Sequence, residues 1–235
     1  MAIPSRHDEI AASLSAVRQR LARALERAGR LPSSARLVAI SKTRPAEDVR
    51  AAFDAGQAEF GENRVQEALE KIAATSDIPI TWHLVGHLQS NKARRASGAF
   101  GWIHSIDSVD LLKRVDAAAE EAGRRPELLV QVDLAGEPTK HGAQAETWLA
   151  LFEAASACRA ARVAGLMLLP PFTPDPEDAR PYFRRLRALR DELAGRGVPP
   201  AMLGELSMGM SHDFEVAVEE GATLVRVGTA IFGGR

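Results

Sequence analysis

From Leu37 onward, short apolar runs alternate with helical stretches eight times, and this rhythm narrows the fold more than any single motif does. Leu37–Ser41, Glu59–Glu62, Thr81–Val85, Trp102–Ser105, Leu128–Val132, Val163–Leu169, Leu203–Ser207 and Thr223–Val227 read as strands. The clearest of these runs are continuously apolar, which implies burial on both faces. Helices are expected from Pro45 to Gly56 and over Val65–Ala74, Gln89–Ala96, Val109–Ala122, Ala143–Cys158, Glu177–Ala194 and Asp213–Glu220. Ahead of them, Ile10, Leu14, Val17, Leu21 and Leu25 recur at helical spacing and mark an amphipathic helix ended by Gly29 and Pro32. Strands joined by crossover helices form a parallel sheet. The expectation is an α/β fold: a single (β/α)8 TIM barrel with an extra N-terminal helix, residues 1–235 forming one domain. The rival is an open doubly wound sheet, which normally carries a glycine-rich loop after its first strand. Here that loop is Ser41-Lys42-Thr43-Arg44-Pro45, without glycine.

The 235 residues, at roughly 150 per domain, allow one large core or a small pair, and the strand count favours one. Apolar residues make up 46% and charged residues 26%, which excludes a disordered, collagenous or coiled-coil chain. The formal net charge of −1 argues against a general nucleic-acid binder. The single cysteine, Cys158, makes no internal disulfide and fits a reducing compartment. Neither a signal-peptide core nor an apolar stretch of membrane-spanning length is present, so a cytoplasmic, soluble protein is expected. No metal-ligand motif stands out.

Barrels of this kind carry their chemistry at the C-terminal ends of the strands. Lys42 directly follows the first strand, where an amine stripped of water has a free lone pair for Schiff-base formation. A solvated loop lysine beside Arg44 is the plainer alternative. Only five of the 30 basic residues are lysines, so each lysine carries some information. Ser207-Met208-Gly209-Met210-Ser211 leads from strand seven into a helix, with Gly209 allowing close backbone approach and Ser211 as a candidate N-cap. Gly228-Thr229 follows strand eight. Loops after strands seven and eight recurrently bind phosphate on this barrel, although each segment is also compatible with an ordinary tight turn. Arg226 interrupts an apolar strand and needs a carboxylate or a ligand atom as its acceptor. A lysine, a phosphate cradle and a strand-borne arginine together suggest pyridoxal phosphate.

From Leu37 to Gly233 the chain resembles the YggS/PROSC family of pyridoxal-phosphate homeostasis proteins, relatives of the alanine racemase barrel. The resemblance rests on VAISKTRP, FGENRVQEALEK, WHLVGHLQSNK, IHSIDS, GLM, LSMGMSHDFEVAVEEGAT and VRVGTAIFG, in that order. It implies a barrel of pyridoxal-phosphate fold type III. It implies that Lys42 is the Schiff-base lysine, that Asn63 lines the cofactor, and that Ser207, Gly209 and Ser211 form the phosphate loop with Gly228 and Thr229. It implies Arg226 as the partner of the pyridine nitrogen. His83 and Ser105 fall in family motifs without an assigned role, a core histidine being the plain reading of His83. Lys140 falls in a loop resembling a family segment with a lysine, which suggests a part in cofactor exchange.

An arginine at the pyridine nitrogen leaves the ring neutral and a weaker electron sink. Two-base racemisation also needs a second acid/base, a tyrosine from a separate domain in the alanine racemases. The one tyrosine here, Tyr182, lies in the helical stretch after strand six, and eight units leave no residues for a second domain. The resemblance therefore implies a cofactor-holding protein without catalytic residues of its own, supplying apo-enzymes as a monomer. A low-activity amino-acid racemase is the alternative. A cofactor-free barrel enzyme acting on a phosphorylated metabolite is the third reading.

Overall fold

The computed structural model describes residues 4–134 and 142–234. Its centre is a closed parallel barrel whose eight strands follow one another in chain order. They are β1 (Arg36–Ile40), β2 (Glu59–Glu62), β3 (Thr81–Leu84), β4 (Trp102–Ile106), β5 (Glu127–Gln131), β6 (Arg162–Met167), β7 (Glu205–Met210) and β8 (Leu224–Val227). Pairing of β1 with β8, from Arg36 opposite Leu224 to Ala39 opposite Val227, closes the ring. An open sheet is thereby excluded.

Helix α1 (Arg6–Arg27) precedes the barrel. Ser5 accepts from the Asp8 backbone N–H while the Asp8 side chain accepts from the Ser5 backbone N–H, a capping box that starts the helix. Its buried stripe, Ile10, Leu14, Val17, Leu21 and Leu25, packs against α2 (Ala46–Asp54), α8 (Phe214–Glu219) and α9 (Thr229–Phe232). The outer ring is completed by α3 (Val65–Ala74), α4 (Ala93–Ala99), α5 (Val109–Glu121), α6 (Trp148–Ala155) and α7 (Arg180–Gly195).

Several elements depart from the sequence reading. The helix expected over 89–96 is a 3-10 turn, Ser90–Lys92, followed by α4, which runs on to bury Phe100 beyond its end. The helix expected from Ala143 begins only at Trp148. Ala143 instead bridges to Val132 and donates its N–H to the Gln131 carbonyl, so that backbone extends the sheet. Strand β7 runs three residues past Ser207, with its register to β8 shifting between Ser207 and Met210, a bulge that includes Gly209. The four-residue α9 is too short to leave a periodic signal.

The core has two layers. A continuous shell of aliphatic and aromatic side chains lies between the barrel and its helices. Inside the barrel, Val38, Ile40, Val85, Leu129, Met167 and Leu224 form a smaller cluster. That interior is not wholly apolar, because His83, His104, Ser207 and Arg226 are buried there too. No helix among the described residues is long and apolar enough to cross a membrane.

Candidate functional site

The C-terminal ends of the strands surround a cavity of about 580 Å³, within the size range of small-molecule sites. Six residues singled out in the sequence line it together: Lys42, Asn63, Ser211, Arg226, Gly228 and Thr229. Val85, Gly86, His87, Gln131, Leu169, Phe172, Met210 and His212 add to the wall.

The loop that carries Lys42 is pinned on both sides. Before it, the Ser41 carbonyl accepts from Lys71 Nζ at 2.6 Å. The same Nζ donates to Glu62 Oε1 at 2.7 Å, and Ser41 Oγ donates to that oxygen at 2.6 Å. After it, the Thr43 N–H donates to Glu67 Oε1 at 2.5 Å. Thr43 takes a left-handed φ of +63°, an uncommon and strained state for a β-branched residue, held by these contacts. Burial pushes the Glu62 carboxyl up, with Lys71 and Ser41 pulling it back. Among the described residues Lys71 is therefore the lysine with carboxylate partners. Lys42 has none among the described residues.

Asn63 follows β2 and reaches the cavity because Gly86 lets the two backbones touch. A Cβ at position 86 would stand 2.2 Å from the Asn63 carbonyl oxygen. Across the mouth, Ser211 Oγ accepts from the Gly228 N–H at 3.1 Å and the Ala230 N–H at 3.4 Å, stapling the ends of β7 and β8 together. Ser211 is thus not the cap of α8. That position is Asp213, whose Oδ1 accepts from the Met210 N–H at 2.6 Å.

Arg226 is 3% exposed. It donates to Ser207 Oγ at 2.6 Å and to the Leu168 carbonyl at 2.9 Å, both neutral acceptors. No carboxylate forms an ion pair with it among the described residues. Burial pushes its guanidinium down to about 10, with the charge of Asp213 acting in the other direction. It remains a cation at neutral pH, facing the cavity with hydrogen-bonding capacity to spare.

Two residues expected in the phosphate loop are placed elsewhere. Ser207 lies inside the barrel, fully buried beneath Arg226, because β7 continues past it. Gly209, at φ +91°, turns toward α8, where a Cβ would stand 2.5 Å from the Ala217 Cβ. Its role is close strand–helix packing. His83 is fully buried in the barrel, Ser105 is buried with an Oγ that finds no partner in the described structure, and Lys140 lies outside the described residues. Tyr182 is on α7 and does not line the cavity. The sequence reading missed Gln131, the last residue of β5, and Phe172, 80% exposed at the rim with its ring 5.8 Å from that of His212. A polar residue directly after the apolar run Leu128–Val130 was the available signal for Gln131.

A closed eight-stranded barrel with its candidate groups gathered at one mouth defines the class, and the sequence profile of the alanine racemase N-terminal domain matches residues 12–235. The pyridoxal phosphate homeostasis protein of Aquifex aeolicus is 46% identical over 94% of this chain and 96% of its own length. That of Pseudomonas aeruginosa is 42% identical over 96% of each chain. The structure of PipY from Synechococcus elongatus PCC7942 with PLP bound is 42% identical, covers 95% of this chain and all of that one, and has a TM-score of 0.85. The chain belongs to the family of pyridoxal phosphate homeostasis proteins.

Proposed function

We propose that this chain binds pyridoxal 5′-phosphate at the barrel mouth, holds it as a Schiff base on Lys42, and serves its homeostasis as a single-domain protein without catalytic turnover. The observation that carries the reading is Arg226: a buried cation without a carboxylate partner in the described structure, lining a cavity of ligand size together with a lysine. A buried charge is costly unless something compensates it, and an anionic ligand with a ring acceptor does so.

The cofactor supplies an electrophilic aldehyde, a pyridine nitrogen and a phosphate. The Lys42 amine bonds to the aldehyde carbon with loss of water, a step that water reverses. Arg226 donates to the pyridine nitrogen and, being unable to accept, keeps it unprotonated. The ring is then a weak electron sink, which favours holding over turnover. The hydroxyls of Ser211 and Thr229 line the mouth where the phosphate is held, with the Gly228 N–H fixing the Ser211 oxygen in place. Asn63 lines the ring.

PLP bound in PipY and the names of the relatives support this reading. It extends to a monomer that releases the cofactor to apo-enzymes. Protein incubated with pyridoxal 5′-phosphate and desalted should keep a visible absorbance band that Lys42→Ala loses. A colourless wild-type protein would overturn the reading.

A further inference from the structure

Beneath Arg226 a line of buried polar side chains crosses the barrel interior. His104 Nδ1 is 2.9 Å from Ser207 Oγ, and His83 Nδ1 is 3.0 Å from His104 Nε2. His83 Nε2 lies 3.2 Å from Glu59 Oε2, close but off the hydrogen-bond direction. Glu59 opens β2 at the opposite end of the barrel, where Arg36 donates to it. Nothing in the cofactor chemistry above uses the two histidines.

Bonding capacities set the direction of every proton in this line. A guanidinium only donates, so Ser207 Oγ accepts from Arg226. The Ser207 hydroxyl hydrogen then has His104 Nδ1 as its acceptor. An imidazole that accepts at Nδ1 and is neutral carries its proton on Nε2, which points at His83 Nδ1. His83, accepting at Nδ1, in turn carries its proton on Nε2, on the side of the ring nearest Glu59. The reverse tautomer at His104 would make Ser207 accept twice and leave its hydroxyl hydrogen without an acceptor in the described structure. Burial, together with the neighbouring charges of Arg226 and Arg36, disfavours a protonated His104.

We infer that Ser207, His104 and His83 form a one-directional hydrogen-bond chain that positions Arg226 for the cofactor. The two histidines are positioning residues: they commit the Ser207 hydrogen downward, so its lone pairs hold the guanidinium and the remaining Arg226 donors are presented to the cavity. The positioning role rests on the proposed function, whereas the tautomers do not.

The test has two arms. In cofactor-free protein carrying ¹⁵N-histidine, His83 and His104 should both appear as neutral Nε2–H tautomers that do not titrate between about pH 6 and 8. An Nδ1–H tautomer or a charged ring at His104 would overturn the chain. In the second arm pyridoxal 5′-phosphate is titrated into three variants. His104→Leu removes the acceptor for Ser207 and should weaken binding about tenfold and shift the visible band. Ser207→Ala, a smaller change, should weaken binding similarly. His104→Asn, whose Oδ1 can stand in for Nδ1, should stay within about twofold of wild type. Equal losses in His104→Leu and His104→Asn would reduce His104 to packing and overturn the positioning role. Correct tautomers in a wild-type protein that takes up no cofactor would overturn the functional reading and the positioning role, and leave the chain standing.

Discussion

The two ends of the barrel handle charge in opposite ways. At the N-terminal end, the first residues of β1, β2 and β7 are Arg36, Glu59 and Glu205, and they close on one another. Arg36 donates to Glu59 at 3.3 Å and to Glu205 at 2.9 Å, with its guanidinium 5.0 Å from the centre of the Trp102 ring. Glu127 and Arg162, which begin β5 and β6, pair in the same way. At the C-terminal end, Arg226 has only a hydroxyl and a carbonyl, and Lys42 has no carboxylate partner among the described residues. On this fold the first end is a place for stability and the second for chemistry. The contrast also separates two lysines at the same rim. Lys71 is neutralised by Glu62 and Glu67, whereas Lys42 lines the cavity with no carboxylate partner among the described residues.

The largest expected effect tests that separation of lysines. Lys71→Met leaves Glu62 buried and uncompensated, and should cost about 3–5 kcal/mol in urea unfolding. Lys42→Met should change stability little, and a comparable loss there would break the distinction.

Acid stability comes next, through the chain that joins the two ends. Burial holds the His104 imidazole well below the ordinary histidine value, with the nearby charges adding to the effect. Below about pH 6.5 the unfolded chain takes up a proton at this residue that the folded chain refuses. Stability should therefore fall with acid by about 1.4 kcal/mol per pH unit from this residue, down to its folded value. His104→Asn should remove that increment from the pH dependence of the urea midpoint. An unchanged slope would mean the ring is already charged when folded.

The smallest stability effects set the two arginines against each other. Arg36→Met leaves Glu59 and Glu205 facing without their cation and should cost ~1 kcal/mol, a figure limited by solvent screening. Arg226→Met removes a buried cation that has no ion-paired carboxylate among the described residues, so the cofactor-free protein should melt no lower than wild type while cofactor affinity drops at least about tenfold. A larger melting loss for Arg226→Met than for Arg36→Met would erase the difference between the ends.

Much of this was legible in the sequence. Apolar runs such as Leu37–Ile40 and the α1 stripe are strong signals, and the ends of the first, second, seventh and eighth strands located the candidate groups. What stayed hidden depends on closure of the ring. Ser207 reads as the last residue of its strand, opening a phosphate loop that Gly209 lets approach a ligand, yet the strand runs on and that glycine sits in a bulge and lets α8 pack close. His104 gave no warning, since which side chains of WIHSI point inward is settled only when eight strands close. The contact between His83 and His104 joins neighbouring strands 21 positions apart in the chain.

The central claim is that Lys42 is the cofactor lysine, and borohydride reduction followed by peptide mapping tests it most directly. Protein loaded with pyridoxal 5′-phosphate, reduced, digested and weighed should carry one phosphopyridoxyl group, on the peptide containing Lys42 and on none of the other four lysines. A stoichiometric label on Lys71, Lys92, Lys113 or Lys140 with Lys42 unmodified, or no stable label at all, would contradict it.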